Sequence, residues 1–452
     1  MNSPEPRASS PCFLALDLGT TTLAGRLLST DGTLLAEARI ANPQRTLGAD
    51  ILTRLQRVEE GGGETLQQLL VEGIRDLVAE LLKKAGAAPE QVVAAAAAGN
   101  PGICHLLLAL PVKALLHPPH RSPLTSLQIL PPEVLSLNLE LNLHLFPAVS
   151  GFVGGDLVAV LFGCSQGTPP PRSARHLPYS AGEDGSPLLH RGDVAGNATG
   201  GSSISRALVL DLGTNAELAL WDGTRWLATS AAAGPAFEAG NIACGMTLSP
   251  GAVTDVQLAG DRLQLAVQGG GTPLGLCGSG LLALVAAARE GGLIDVTGRT
   301  VAPAEVGTNL ARYLIADGEG WAICFHRAAR GTLLLTQDDV RQLQLAKGAV
   351  RAGIEVLLDR AGLAPNDISK VLLTGAFGAA LPTAAVKGIA LLPESMLDKL
   401  FCVPNGVLDG LAAFIDDPHG PQHLAALQAI IKPLPLSGTP AFERRFLQAL
   451  EL

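Results

Sequence analysis

The chain writes one short phrase twice: LALDLGTTTLAG from Leu14 and LVLDLGTNAELAL from Leu208. In each copy an apolar run of strand length ends at Asp-x-Gly-Thr, so a buried strand passes straight into a turn that a small residue keeps tight. A repeated strand-to-turn phrase implies a duplicated fold with a duplicated task. The flanking sequence extends the match. FLALDLGTTTLAGRLLSTDGTLLAEARI contains three apolar runs separated by a Gly-Thr turn and the Asp31-Gly32 turn, the layout of a strand meander, and ALVLDLGTNAELALWDGTRWLATSA repeats that order.

Other segments supply the helices and further strands of an α/β protein. ETLQQLLVEGIRDLVAELLKKAG has apolar residues at three- and four-residue spacing and stops at a glycine, which predicts an amphipathic helix. TQDDVRQLQLAKGAVRAGIEVLLDRAG predicts another, with Thr336 as N-cap and acidic residues in its first turn. QVVAAAAAGN and KVLLTGAFGAAL read as buried strands ending at glycine turns. LSLNLELNLHLF, with leucines in strict alternation from Leu135 to Leu145, reads as a strand with one wet face. At 452 residues the chain exceeds one compact core, so two domains are expected. The predicted division is a disordered tail over 1–12, a first domain over 13–165, a mobile Pro-, Gly- and Ser-rich linker over 166–205, a second domain over 206–415 and a helical extension over 416–452.

Charge and cysteine usage exclude several functions. A net charge of -9 and the absence of a basic run argue against a nucleic-acid partner or an anionic membrane surface. No stretch has the roughly 18–20 uncharged apolar residues of a membrane span, and the N-terminus lacks the order of a signal peptide, so a cytoplasmic location is expected. Seven scattered cysteines without a CxxC define neither a disulfide framework nor a zinc ribbon.

The repeated turns carry the chemistry. Glycines Gly19 and Gly213 let the backbone approach an anion, and Thr20, Thr21, Thr22, Thr214 and Asn215 offer hydroxyl and amide donors to phosphate oxygens. Asp17 and Asp211 can hold a magnesium ion through its water shell. Two such turns facing each other would clamp a polyphosphate. Asp156, in a Gly-Gly-Asp stretch before an apolar helix, either orients an attacking water or simply favours the helix dipole. Gly375, Ala376 and Phe377 form a small-residue turn suited to a nucleoside, and Gly278-Ser279-Gly280 opens a helix whose N-terminus suits an anion or ribose. Glu238 contacts either the nucleotide or magnesium shell or a helix end. His105 reads as structural. No GxxxxGK[ST] occurs, so the common alternative nucleotide loop is absent.

The ordered set LDLGTTT, LDLGTNAE and LLTGAFGAA resembles the two phosphate motifs and the adenosine motif of the acetate kinase, sugar kinase, Hsp70 and actin superfamily. VGGDLVAVLFG and NGVLDGLAAF resemble its two connecting helices. That resemblance implies two ribonuclease-H-like, actin-like ATPase domains closing over ATP and magnesium. NPQRTLGADILTRL, AGNPGICHLLL, AAAGPAFEAGNIACGM and GLCGSGLL narrow it to the C-terminal ATPase region of reductive activators of corrinoid proteins. Such activators use ATP to drive reduction of an inactive cobalamin centre on a partner. The resemblance therefore implies a corrinoid protein partner and a homodimer. Only twelve residues precede the match, so a counterpart of the family's N-terminal ferredoxin-like 2Fe-2S domain is not expected. No iron-sulfur cluster of its own is expected, and electrons would come from a separate donor such as a ferredoxin. Alternatives are an activator of an iron-sulfur dehydratase, with Cys244 and Cys277 sharing a cluster between subunits, a small-molecule kinase, and an actin-like nucleotide sensor.

Overall fold

A computed structural model describes residues 10–134, 139, 141–166, 206–328, 331–375 and 381–452. The chain divides into two units: the first takes Met1–Ile204, Gly223–Trp226 and Asn405–Pro433, and the second takes Ser205–Asp222, Leu227–Pro404 and Leu434–Leu452. Each has its own apolar core.

The first unit is organised by β1 (Cys12–Leu18), β2 (Thr22–Ser29), β3 (Leu34–Ala41), β4 (Val92–Gly99), β5 (Gln128–Leu130) and β6 (Leu143–Leu145). They lie in the order β3-β2-β1-β4-β6-β5. The meander β1-β2-β3 is antiparallel, and β4 joins β1 in parallel with Asp17 opposite Ala98. β1 already begins at Cys12, whose side chain is buried. The alanine run of β4 would favour a helix on propensity alone. Here it is a central strand between β1 and β6, with Ala95, Ala96, Ala97 and Ala98 all buried, so tertiary packing overrides propensity. The helix Gly63–Ala85 buries Leu66, Leu70, Ile74, Leu77 and Leu81 and ends at Gly86 with φ 63°. Of the alternating segment at 135–146, strand is found at Leu143–Leu145, and residues 135–138 and 140 lie outside the described residues.

Two helices of this unit meet almost backbone to backbone. Gly155–Gln166 packs against Gly406–Asp416, and a Cβ at Gly410 would run into the carbonyl of Ala159. Arg26 on β2, buried and charged, is clamped between Glu37 on β3 (2.9 Å) and Asp409 on the second of these helices (2.6 Å).

The second unit repeats the meander with β7 (Ala207–Leu212), β8 (Ala216–Trp221) and β9 (Trp226–Ala231). A small sheet follows from β10 (Ala252–Ala259), β11 (Arg262–Val267) and β12 (Gly275–Leu276). Another is built from β13 (Leu314–Asp317), β14 (Gly320–Ala328) and β15 (Gly331–Leu335). β16 (Lys370–Gly375) then joins β7 in parallel, and β17 (Leu400–Cys402) joins β16, giving the order β17-β16-β7-β8-β9. This is the arrangement β6-β4-β1-β2-β3 over again, and the duplicated phrase occupies the same place in both sheets.

The helix Gln337–Ala361 starts at Thr336, whose side chain accepts the Asp339 amide while Asp339 accepts the Thr336 amide, and it stops at Gly362 with φ 66°. Beyond residue 415 the helices Gly420–Ala429 and Pro440–Gln448 follow. The interval expected as a linker lies, apart from Gln166, outside the described residues.

Candidate functional site

In the first unit the turn after β1 is gripped from within by buried polar side chains. The Asn42 amide group donates to the Gly19 carbonyl (3.0 Å), and the Asn42 backbone N–H donates to the Thr21 carbonyl (2.9 Å). Arg54, fully buried on the helix Ile51–Arg57, donates to the Thr20 carbonyl (2.8 Å). Asn100 donates to the Thr20 hydroxyl (2.9 Å) and caps the helix Pro101–Leu107 by accepting from the Ile103 amide (3.0 Å). Thr22 opens β2, and Gly19 sits where a Cβ would press on the Thr22 carbonyl.

Asp156 lies at the start of the helix Gly155–Gln166 and is brought to the end of β4. A Cβ on neighbouring Gly154 would lie 2.6 Å from the Asn100 Cα and 2.7 Å from the Gly99 carbonyl. Asn100 therefore touches both the first turn and the Asp156 stretch. Burial pushes the Asp156 carboxyl up to about 6, against the opposing pull of the Leu157 amide that donates to it (2.9 Å). A carboxyl poised there can exchange a proton near neutral pH.

In the second unit six of the predicted residues converge. The Thr214 hydroxyl donates to Glu238 (3.1 Å), the Gly213 amide donates to the Asn215 carbonyl (3.3 Å), and Glu238 ends the turn Pro235–Glu238 close to Gly213. Gly375 has φ 99°, and a Cβ there would lie 2.6 Å from Asp211 Oδ1. Only glycine can pass so close to that carboxylate in that conformation. Ala376 and Phe377 lie outside the described residues.

Gly278, Ser279 and Gly280 form the first turn of the helix Gly278–Glu290, which packs on the turn Pro235–Glu238. Here the structure gives the small residues a packing duty: the Ser279 hydroxyl donates to the Thr254 carbonyl (2.8 Å), and a Cβ at Gly280 would collide with the Val253 carbonyl. Cys277 donates to the Val253 carbonyl (3.2 Å). Cys244 donates to the Leu334 carbonyl (3.1 Å), and burial, with Asp339 nearby, pushes its thiol up to about 12. Both ring nitrogens of buried His105 are engaged, by the Pro111 carbonyl and the Ser122 hydroxyl, each at 3.0 Å.

Two kinds of residue escaped the sequence reading. Asn42 and Arg54 lie in NPQRTLGADILTRL, yet their target is a turn more than 20 residues earlier, a distance no local pattern measures, and Gln44 of the same stretch supports Arg54 by accepting from it. Glu217 was available within LDLGTNAE. It is the antiparallel partner of Asp211, and directly opposed residues share a face, so two buried acids stand side by side on the second sheet.

Among the described residues no three His, Cys, Asp or Glu side chains converge as a metal cage. Magnesium asks for less, since one or two carboxylates plus substrate phosphates suffice. Acids at the strand ends beside glycine turns, with the cradle at Gly375, fit a magnesium–polyphosphate.

A meander with parallel strands added to one side, present twice, defines a two-domain actin-like α/β fold of the ASKHA class. The profile described as the C-terminal domain of RACo, the ASKHA domain, matches residues 205–452, and that of the RACo middle region matches residues 12–166. The chain belongs to this RACo family. It is 25% identical over 458 residues to the corrinoid activation enzyme RamQ of Eubacterium limosum, an alignment covering 98% of this chain and 71% of that protein. It is 30% identical over 201 residues to the [Co(II) methylated amine-specific corrinoid protein] reductase of Methanosarcina barkeri, covering 38% of this chain and 32% of that protein. The solved reductive activator for corrinoid, iron-sulfur protein superposes with a TM-score of 0.83 at 24% identity, over 98% of this chain and 66% of that one. The chain is thus homologous to corrinoid activation enzymes and spans less than two thirds of the solved activator. Among the described residues no helix is long and apolar enough to cross a membrane.

Proposed function

We propose that this protein binds magnesium–ATP on its two Asp-x-Gly-Thr turns and hydrolyses it to drive reductive reactivation of a corrinoid protein, with electrons from a separate donor such as a ferredoxin. The observation that carries this reading is the equivalent placement of both turns in a duplicated sheet, in a chain homologous along nearly its whole length to a corrinoid activation enzyme.

In this reading the amides of Thr20–Thr22 and of Thr214 and Asn215 hold phosphate oxygens. Asp17 and Asp211 hold magnesium through water, and the ion supplies neutralisation of phosphate charge. Glu238 fixes Thr214, while Gly375 leaves room beside Asp211. Asp156 accepts a proton from the water that attacks the terminal phosphorus as the phosphoanhydride bond breaks. ATP can favour one conformation of the protein only by binding it better than another, and hydrolysis then resets the system. A cytoplasmic homodimer completes the picture.

The test is ATP hydrolysis with and without a corrinoid protein, in the wild type and in Asp211→Asn. Stimulation of phosphate release by the corrinoid protein, lost in a folded Asp211→Asn variant, is expected. An unchanged rate in that variant would falsify the site assignment. Appearance of a phosphorylated small molecule in place of free phosphate would mark a kinase instead.

A further inference from the structure

The buried network behind the first turn does more than fill space. Successive carbonyls of Gly19, Thr20 and Thr21 are drawn inward by the Asn42 side chain, Arg54 and the Asn42 backbone. A trans peptide is planar, with its N–H pointing opposite its C=O. Fixing those three carbonyls therefore turns the amides of Thr20, Thr21 and Thr22 away from the network, all toward one side.

Arg54 also carries a charge that none of its partners neutralises. Its three nitrogens donate to the Gly48 carbonyl (2.9 Å), the Gln44 side-chain oxygen (3.1 Å) and the Thr20 carbonyl (2.8 Å). Asp50, the acid that most favours its charged form, engages both oxygens with Thr53. Burial lowers the guanidinium to about 10, which still leaves it protonated at neutral pH. A fully buried cation held by three neutral acceptors is costly by itself, and an anion on the other side of the turn would offset that cost.

We propose that Arg54, with Asn42 and Gln44, is the positive backing of the first phosphate turn: a positioning group that aims the turn amides and supplies through-turn charge for a bound polyphosphate. This rests on the ATP reading above and assigns it a group that does not touch the ligand. Arg54 thereby discriminates by the number of phosphates, since its field grows in effect with ligand charge.

Calorimetric binding of adenosine, ADP and ATP with magnesium tests it on the full chain, with folding checked by circular dichroism. Arg54→Gln should weaken ATP by roughly 10- to 100-fold, ADP by less, and adenosine hardly at all. Arg54→Lys, which keeps the charge, should restore most of the ATP affinity. Because Arg54→Gln removes a buried group and can unfold the protein, Gln44→Glu provides a second route: it leaves the guanidinium in place and neutralises it at 3.1 Å, and it should show the same phosphate-graded loss. Equal weakening of all three ligands, or wild-type ATP binding in either folded variant, overturns the proposal while leaving the ATP reading intact. Failure of the wild type to bind ATP would sink that reading instead.

Discussion

Asp156 feels two opposed influences, and their balance sets what it can do. Its place at a helix start and the Leu157 amide favour the carboxylate, while burial favours the acid and wins, leaving the group at about 6. A general base works only when deprotonated, so ATP hydrolysis should fall as pH drops through about 6, approaching tenfold per pH unit below it, and level off about one unit above. A pH–rate profile reads this directly. Asp156→Asn should remove that limb and lower kcat by roughly 10²- to 10⁴-fold; a profile that keeps its acid limb in the Asp156→Asn variant would assign the residue to the helix end alone. At this scale the sequence made visible the placement of residues such as Asp17, Asp211 and Gly375, each at the end of an apolar run that the structure makes a strand. It hid the contacts of Arg54 and Glu217, which depend on which distant turn or strand lies across from them.

The helix Gln337–Ala361 was legible at both ends, because a Thr-Asp capping box and a terminal glycine are local signals. Its interior was not. Lys347, 1% exposed, runs into the core, where its ammonium donates to the Glu451 carbonyl and is disfavoured by burial and by Arg351, so it drops to about 8. Below about pH 8 the folded protein bears the full cost of that buried charge. Between there and the ordinary lysine value the unfolded chain binds more protons, so stability should rise with pH through that window. The lowering corresponds to on the order of 3 kcal/mol. Lys347→Met, which keeps the apolar stem, should therefore raise the urea midpoint at neutral pH, with the gain shrinking as pH climbs toward the ordinary lysine value; a gain independent of pH would place the effect in packing instead. The alanine run of β4 was legible as a strand only because it is short and ends at Gly99-Asn100. The reason for its small side chains emerges in the sheet, where β4 lies between β1 and β6 and its first-turn neighbour Asn100 must reach Thr20.

For the molecule as a whole, the duplication was readable from two phrases, whereas the path of the chain was not. Residues 405–433 return to the first unit before the chain re-enters the second at 434–452, a consequence of long-range packing that no window of sequence records. Magnesium–ATP at about a hundred times its dissociation constant should stabilise the native state by about 2.7 kcal/mol. A calorimetric scan should show the matching rise in Tm in the wild type and little or none in Asp211→Asn. A rise of equal size in both proteins would mean that Asp211 contributes nothing to nucleotide binding.

The crossing of Gly410 over Ala159 ties a distance to a charge. At that point the two helices meet through main-chain atoms, so a single methyl group acts there as a wedge. One residue before Gly410 stands Asp409, the carboxylate that holds Arg26 at 2.6 Å. Any shift of that helix at the crossing is therefore also a shift of the carboxylate that ties it to β2, so the fit of two helices and the pairing of one buried cation stand or fall together.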